Sequence, residues 1–490
     1  MNSNKNILNL LHHIVKTNPS AICLEKNNIK MTYEIFWEQC NMYANNLIRK
    51  TKFKVPVVCI LEEKNFFDYI AMIGTLISGG YYIPINRITP KEKIINIIND
   101  TGANFFSSNN KKIINIKKKN FNFVNQRNIE RRILPVKKKY KNSILAYILF
   151  TSGTTGKPKG VMIKKTSLNH YTKWLVNKFK LNINDNCSQI PSIGFDLSLA
   201  DIFLSLCSGS KLIIPDTIDQ LFPSNWFYKK KINHIVCTPS LIDYINSSKK
   251  LTKKNFSHIK TIFFCGEPLY LNHVKSLFNI NKKLKIVNAY GPTEAACSMT
   301  TFDINIKNYR EKSLTSMSIG KPIPGMKVKI FNTDKTKNNK VGEILISGKQ
   351  LSIGYLKQEK LTNEKFIKLS DKIYYKTGDW GCIKNNELYF LSRIDNQIKI
   401  KGFRVELNEI DYYLRKFGLN NPKSIFINGK IISFVVSKKI NEKKIKEFLI
   451  NELEVYKIPS NIIDISNIPL NKNGKVDIDF LKKYYIKNEV

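Results

Sequence analysis

Residues 151–160 read TSGTTGKPKG, and they follow directly on an apolar run, ILAYILF, at 144–150. The run has the length and β-branched, aromatic character of a buried strand. The segment behind it is rich in hydroxyls and glycines and carries two lysines. Glycines let backbone N–H groups close around a phosphate, and Ser and Thr hydroxyls add donors. Lys157 and Lys159 would neutralise a triphosphate. The pattern is not the Walker loop G-x-x-x-x-G-K-[ST], because Pro158 follows the first lysine. A strand running into such a loop predicts an α/β domain that binds a nucleotide.

The chain on either side supports that class. Helical periodicity at 33–47, 66–77 and 91–98 alternates with short β-rich runs such as 55–61, which predicts a largely parallel sheet with flanking helices. KTIFFCG at 260–266 reads as a second buried strand. Residues 328–330 and 342–346 predict a smaller, antiparallel β region. Residues 109–142 are rich in Lys and Asn and read as a variable, solvated stretch. After Arg393 short strands alternate with helices at 408–416 and 442–452, enough for a small α+β domain. The expected division is 1–394 and 395–490.

The 490 residues are 42% apolar and 24% charged, as in ordinary globular proteins. Lys plus Arg outnumber Asp plus Glu by 80 to 38, a formal charge of +42. Such a field favours polyanions. The excess is mostly lysine, spread along the chain together with Asn and Ile. All three have A/T-rich codons, and no nucleic-acid-binding motif accompanies the charge. Nucleic acid is therefore not the expected partner, whereas an acidic protein would suit the surface. Nine scattered cysteines without C-x-x-C spacing read as reduced thiols in a cytoplasm. The N-terminus reads as an amphipathic helix, and no run is long enough to span a membrane.

TSGTTGKPKG resembles the phosphate-loop signature of the adenylate-forming superfamily, which includes acyl-CoA synthetases, luciferases and peptide synthetase adenylation domains. Further blocks follow the family's order: LISGGYYIPIN (76–86, with Asn86 where aspartate is usual), NAYGPTE (288–294), GEILISG (342–348), YKTGDWG (375–381), SRIDNQIKIKGFRVEL (392–407) and NKNGKVD (471–477). The chain is most similar to freestanding amino-acid adenylation domains and D-alanine–carrier protein ligases.

The resemblance implies ATP and Mg²⁺ as cofactors, and a phosphate loop formed by Thr151, Ser152, Gly153, Thr154, Thr155, Gly156 and Lys157. Tyr290 would stack on adenine, Thr293 contact the α-phosphate and Glu294 hold Mg²⁺, for which a carboxylate is a suitable hard ligand. Asp379 would accept both ribose hydroxyls, as a two-oxygen acceptor can, and Arg393 would help hold the nucleoside. Lys475 would be a mobile catalytic lysine between the substrate carboxylate and the α-phosphate, offsetting developing charge. Asp395 would be the hinge about which a mobile C-terminal lid swings.

GFDLSLADIF at 194–203 resembles the block in which an aspartate binds a substrate α-ammonium. A carboxylate among apolar neighbours is costly unless a cation pairs with it, so Asp196 would select amino acids over plain carboxylic acids. The family's pocket positions fall on Asp196, Leu197, Ala200, Val236, Phe263, Cys265, Ala289, Cys297, Ser298 and Lys475. No second charged side chain lies between the two ends, which favours a small or medium neutral amino acid. No segment resembles a carrier domain, so the phosphopantetheine thiol is expected in trans, from a separate carrier protein, with the enzyme acting as a cytoplasmic monomer. An acid–CoA ligase and, more remotely, a nucleic-acid-associated aminoacyl-transferring protein are the alternatives.

Overall fold

The computed structural model describes residues 6–52, 54–109, 122–124, 142–153, 158–331, 341–394, 397–400, 402–437, 440–470 and 476–488. The chain forms two compact units. The first holds Met1–Arg87, Ile98–Phe150 and Gly160–Ile394; the second holds Ile88–Ile97, Thr151–Lys159 and Asp395–Val490.

In the first unit a six-stranded sheet runs in the order Asn122–Val124, Phe105–Ser107, Val57–Leu61, Tyr81–Ile85, Leu145–Thr151, Lys159–Lys164. The pairings from Asn122–Val124 through to Leu145–Thr151 are parallel. Their central strands are nearly continuous apolar runs, as strands covered on both faces must be. The helices Tyr33–Lys50 and Phe66–Ile77 bear out the sequence periodicity. The second begins with a capping box, in which Asn65 accepts from the helix and Asp68 reaches back to the Asn65 backbone. One expectation is corrected in part. Within the stretch read as solvated, Asn122–Val124 is a strand, paired in parallel with Phe105–Ser107. Its Asn-Phe-Val sequence is too short to carry a periodic signal; most of the rest of that stretch lies outside the described residues.

A nine-stranded sheet follows, parallel over His234–Cys237, Thr261–Phe264 and Lys285–Tyr290, with antiparallel Thr300–Ile304 against the last. Pleating sends alternate residues to opposite faces. Val236, Phe263, Cys265, Val287 and Ala289 join one core, whereas Ile235, Cys237, Ile262, Phe264 and Ile286 join another. The helices Lys165–Phe179 and Ser198–Ser208 supply residues to the first of these cores. The expected antiparallel β region is a five-stranded sheet, with Met326–Phe331 against Val341–Gly348 and the latter against Lys372–Lys384.

The second unit contains a Gln397–Ile400/Phe403–Glu406 hairpin and a three-stranded sheet with the helices Leu407–Lys416, Glu442–Glu452 and Ile478–Asn488. Glu409 is fully buried and accepts from Lys93 and Lys457 at 2.8 Å each, and both lysines also pair with Glu454. Burial alone would raise the Glu454 pKa, but Lys457 and Lys93 outweigh it and hold the carboxyl at about 2. The fold is thus the expected large α/β portion with a smaller α+β unit.

Candidate active site

The residues expected at a nucleoside are fixed by strand register. Asp379 and Arg393 are Cα partners on adjacent antiparallel strands. Arg393 donates to Asp379 Oδ1 at 2.7 Å and to the Thr377 carbonyl at 2.8 Å. Tyr290, at the end of its own strand, donates through its phenol to Asp379 Oδ2 at 2.6 Å. Burial pushes the Tyr290 phenol well up, and the neighbouring Asp379 carboxylate adds to the shift, so Tyr290 is a fixed donor. Three residues that are distant in sequence therefore form one hydrogen-bonded group.

Directly after Tyr290 the chain makes a turn that only glycine permits. A Cβ on Gly291 would stand 2.7 Å from the Cys297 carbonyl oxygen and 2.8 Å from Ser298 Cα. Ala296 and Cys297 both have positive φ, 54° and 83°, an uncommon choice for residues with side chains. This tight return brings Cys297 and Ser298 against the strand end and presents Thr293 and Glu294 from one short helical turn.

Glu294 is buried and accepts from the Tyr355 phenol at 2.7 Å; Tyr355 in turn lies 3.2 Å from the Tyr375 hydroxyl. Magnesium is usually held by one or two carboxylates together with substrate phosphates rather than by a protein cage. A single carboxylate beside a nucleotide fits that pattern. Among the described residues no group of three His, Cys, Asp or Glu side chains could hold a metal by itself.

Thr293 Oγ1 donates to Asp196 Oδ2 at 2.6 Å. Asp196 is only 6% exposed and sits just ahead of the Ser198–Ser208 helix, its carbonyl accepting from Leu199. Gly194 is required by close approach, since a Cβ there would come within 2.8 Å of the Asn86 backbone nitrogen. The other expected pocket residues, Leu197, Ala200, Val236, Phe263, Cys265, Ala289 and Cys297, belong to a single buried core, and Ser298 is buried beside Cys297. Burial raises the Cys297 thiol well above its ordinary pKa, with Cys265 and Asp196 adding to the effect, so the thiol is neutral.

Three site features escaped the sequence reading. Lys64 Nζ donates to Gln189 Oε1 at 2.8 Å and to the carbonyls of Ile190 and Pro191 at 3.0 Å each. Glu62 accepts from Ser192 Oγ at 2.6 Å and from the Ile193 amide at 3.1 Å. Both therefore hold the loop leading to Asp196, and their only sequence signal is an EEK triplet behind a buried strand. The third is Tyr171, which accepts from Ser298 Oγ at 3.0 Å.

In the second unit Ser152 Oγ donates to the Arg404 carbonyl at 2.7 Å. Lys159, expected beside a triphosphate, forms a buried ion pair with Glu406 at 3.3 Å. Thr151 ends its strand, and Gly153 is buried next to Ser152. Thr154, Thr155, Gly156, Lys157, Asp395 and Lys475 lie outside the described residues.

The profile of the AMP-binding enzyme family matches residues 11–356. The chain belongs to the AMP-binding enzyme family. It is 28% identical over 488 residues to D-alanine–D-alanyl carrier protein ligase of Staphylococcus epidermidis, covering 96% of this chain and 97% of that one. It is 30% identical over 499 residues to gramicidin S synthase 1 of Brevibacillus brevis, covering 96% of this chain but 44% of the synthase. The chain thus spans less than half of that relative and nearly all of the ligase. Among solved structures, a Vibrio cholerae adenylation domain in complex with glycyl-adenosine-5'-phosphate superposes with a TM-score of 0.86, at 22% identity, over 100% of this chain and 99% of that one. For this member of the AMP-binding enzyme family, the likeness confirms the fold. Among the described residues no helix is long and apolar enough to cross a membrane.

Proposed function

We propose that the protein uses ATP and Mg²⁺ to adenylate a small or medium neutral amino acid, releasing pyrophosphate, and then passes the aminoacyl group to the phosphopantetheine thiol of a separate carrier protein. The observation that carries this reading is the buried Asp196 carboxylate, hydrogen-bonded to Thr293. A buried carboxylate is a suitable anchor for a substrate ammonium, because burial strengthens the attraction between opposite charges. The D-alanine–carrier protein ligases among its relatives agree in size and in the kind of acceptor their name gives.

In the first step a substrate carboxylate oxygen attacks the α-phosphorus and pyrophosphate leaves. Asp196 anchors the ammonium end, and Thr293 lies between that anchor and the phosphate. Asp379, Tyr290 and Arg393 hold the nucleoside. Glu294 would hold magnesium, which neutralises phosphate charge. Lys475 acts between the carboxylate and the α-phosphate, with Asp395 as the hinge of the lid bearing it. In the second step the carrier thiolate attacks the acyl carbonyl and AMP leaves. The basic surface, +42 formally, favours an acidic carrier. The protein works as a cytoplasmic monomer.

Amino-acid-dependent ATP–pyrophosphate exchange over a panel that includes both alanine enantiomers tests the first step. Exchange with a neutral amino acid, lost in Asp196→Ala, supports the reading. Exchange with simple carboxylic acids alone, followed by acyl transfer to CoA, would replace it with an acid–CoA ligase.

A further inference from the structure

The amino-acid pocket has a far end as well as an ammonium end. Tyr171 stands on the helix Lys165–Phe179, outside every motif that marks the site, and is completely buried. Its phenol oxygen accepts from Ser298 Oγ at 3.0 Å, and Cys297 and Cys265 are close enough to act on it electrostatically. These three residues are pocket positions. Cys297 is near enough to both Asp196 and Tyr171 for each to act on its thiol electrostatically. Tyr171, Ala200, Ala289, Cys265 and Cys297 all belong to the same buried core.

The ring is not free to swing aside. Trp174 stacks on it with centroids 5.8 Å apart and planes 20° from parallel. Withdrawing the hydroxyl would also leave the buried Ser298 hydroxyl without this acceptor, which is unfavourable.

We propose that Tyr171 is a specificity-determining residue that closes the distal end of the side-chain pocket and limits the substrate to glycine, alanine or serine. This rests on the amino-acid reading of the site and narrows it. A ring sets such a limit sterically: each methylene accepted or refused in an apolar pocket changes discrimination roughly 10- to 200-fold. Small pocket residues alone would admit larger side chains. Tyr171 fills the volume they leave.

The test compares kcat/KM in pyrophosphate exchange for glycine, alanine, serine, valine, leucine and phenylalanine, using the full chain and the variants Tyr171→Ala, Tyr171→Leu and Tyr171→Phe. The unmodified chain is expected to prefer the first three. Tyr171→Ala is expected to raise the leucine-to-alanine ratio by about tenfold or more, and Tyr171→Phe to keep the small-substrate ranking because the ring remains. Thermal unfolding accompanies each variant; should Tyr171→Ala not fold, Tyr171→Leu carries the same comparison with less loss of packing. Exchange on small amino acids with an unchanged ranking in a folded Tyr171→Ala or Tyr171→Leu overturns the size limit alone. So does a preference of the unmodified chain for leucine or phenylalanine. Absence of exchange with every amino acid overturns the underlying reading, and this inference with it.

Discussion

Thr293 Oγ1 donates to Asp196 Oδ2 at 2.6 Å, joining two motifs that lie 97 residues apart in the chain. One residue is expected at the α-phosphate and the other at the substrate ammonium, so in the proposed reaction a single hydrogen bond would link its two halves. A charge-assisted bond of this kind is stronger than a neutral one and fixes the carboxylate's orientation. Asp196→Asn keeps the shape but removes the charge that would meet an ammonium. The expected outcome is a fall of roughly 100-fold in kcat/KM for the amino acid, equivalent to about 3 kcal/mol, with the KM for ATP little changed. Initial rates at saturating ATP check it.

Asp379 receives hydrogen bonds from both Tyr290 and Arg393. Removing it takes one acceptor each from the Tyr290 phenol and the Arg393 guanidinium and deletes the expected ribose acceptor. Asp379→Ala is expected to raise the KM for ATP by about tenfold or more, in line with the loss of charged hydrogen bonds of roughly 1.5–3 kcal/mol. ATP saturation curves, with nucleotide binding by calorimetry alongside, decide the point.

Lys64 is buried, donates three hydrogen bonds to residues 189–191 and lies 3.7 Å from Glu62. Its burial pulls its pKa down, while Glu62, Asp201 and Asp68 favour the charge. Lys64→Met removes one side of a buried ionic group and frees the loop leading to Asp196. Loss of one partner of such a group costs about 3–5 kcal/mol. Urea unfolding should show a lower midpoint, and the amino-acid KM should rise.

Gly194 leaves no room for a methyl beside the Asn86 backbone. Gly194→Ala forces the Asp196 loop outward, at a cost of about 1–3 kcal/mol typical of overpacking. Weakened amino-acid binding with intact nucleotide binding is the expected pattern, measured by titrating each ligand separately.

His234 is buried, with its imidazole against the Phe179 ring at a centroid distance of 4.9 Å. Burial lowers its pKa from 6.5 to about 4, with Asp185 opposing. The unfolded chain therefore binds this proton more readily than the folded one between those values. Stability from this group is fully present above about pH 6.5 and is lost as pH falls through the window towards 4, by roughly 3 kcal/mol in all. The difference in unfolding free energy between the unmodified chain and His234→Leu, followed from pH 7 to pH 4, should narrow or reverse as pH falls.

The loops and their order were readable because their chemistry is local. TSGTTGKPKG, NAYGPTE and YKTGDWG each carry glycine turns and polar groups within a few residues, and the helix Phe66–Ile77 appears at its expected bounds because periodicity and cap sit in one stretch. The strand Asn122–Val124 was not readable, since it is too short for alternation to show. Lys159 has the composition of a phosphate ligand, yet it is paired with Glu406, 247 residues away, which no local pattern announces.

By itself the sequence determined the α/β class and the family's motifs, and it marked Asp196, Thr293 and Asp379 as candidates, because backbone propensity and loop chemistry act over a few residues. Only the tertiary structure decided that Thr293 bonds to Asp196, that Glu62 and Lys64 hold the loop before it, and that Tyr171 meets Ser298 and Cys297. Those relationships arise from strand register and from the faces that helices turn to the sheet, which bring together residues up to 130 positions apart. A buried tyrosine on a helix looks like ordinary core in one dimension; only the fold brings it to within hydrogen-bond distance of Ser298.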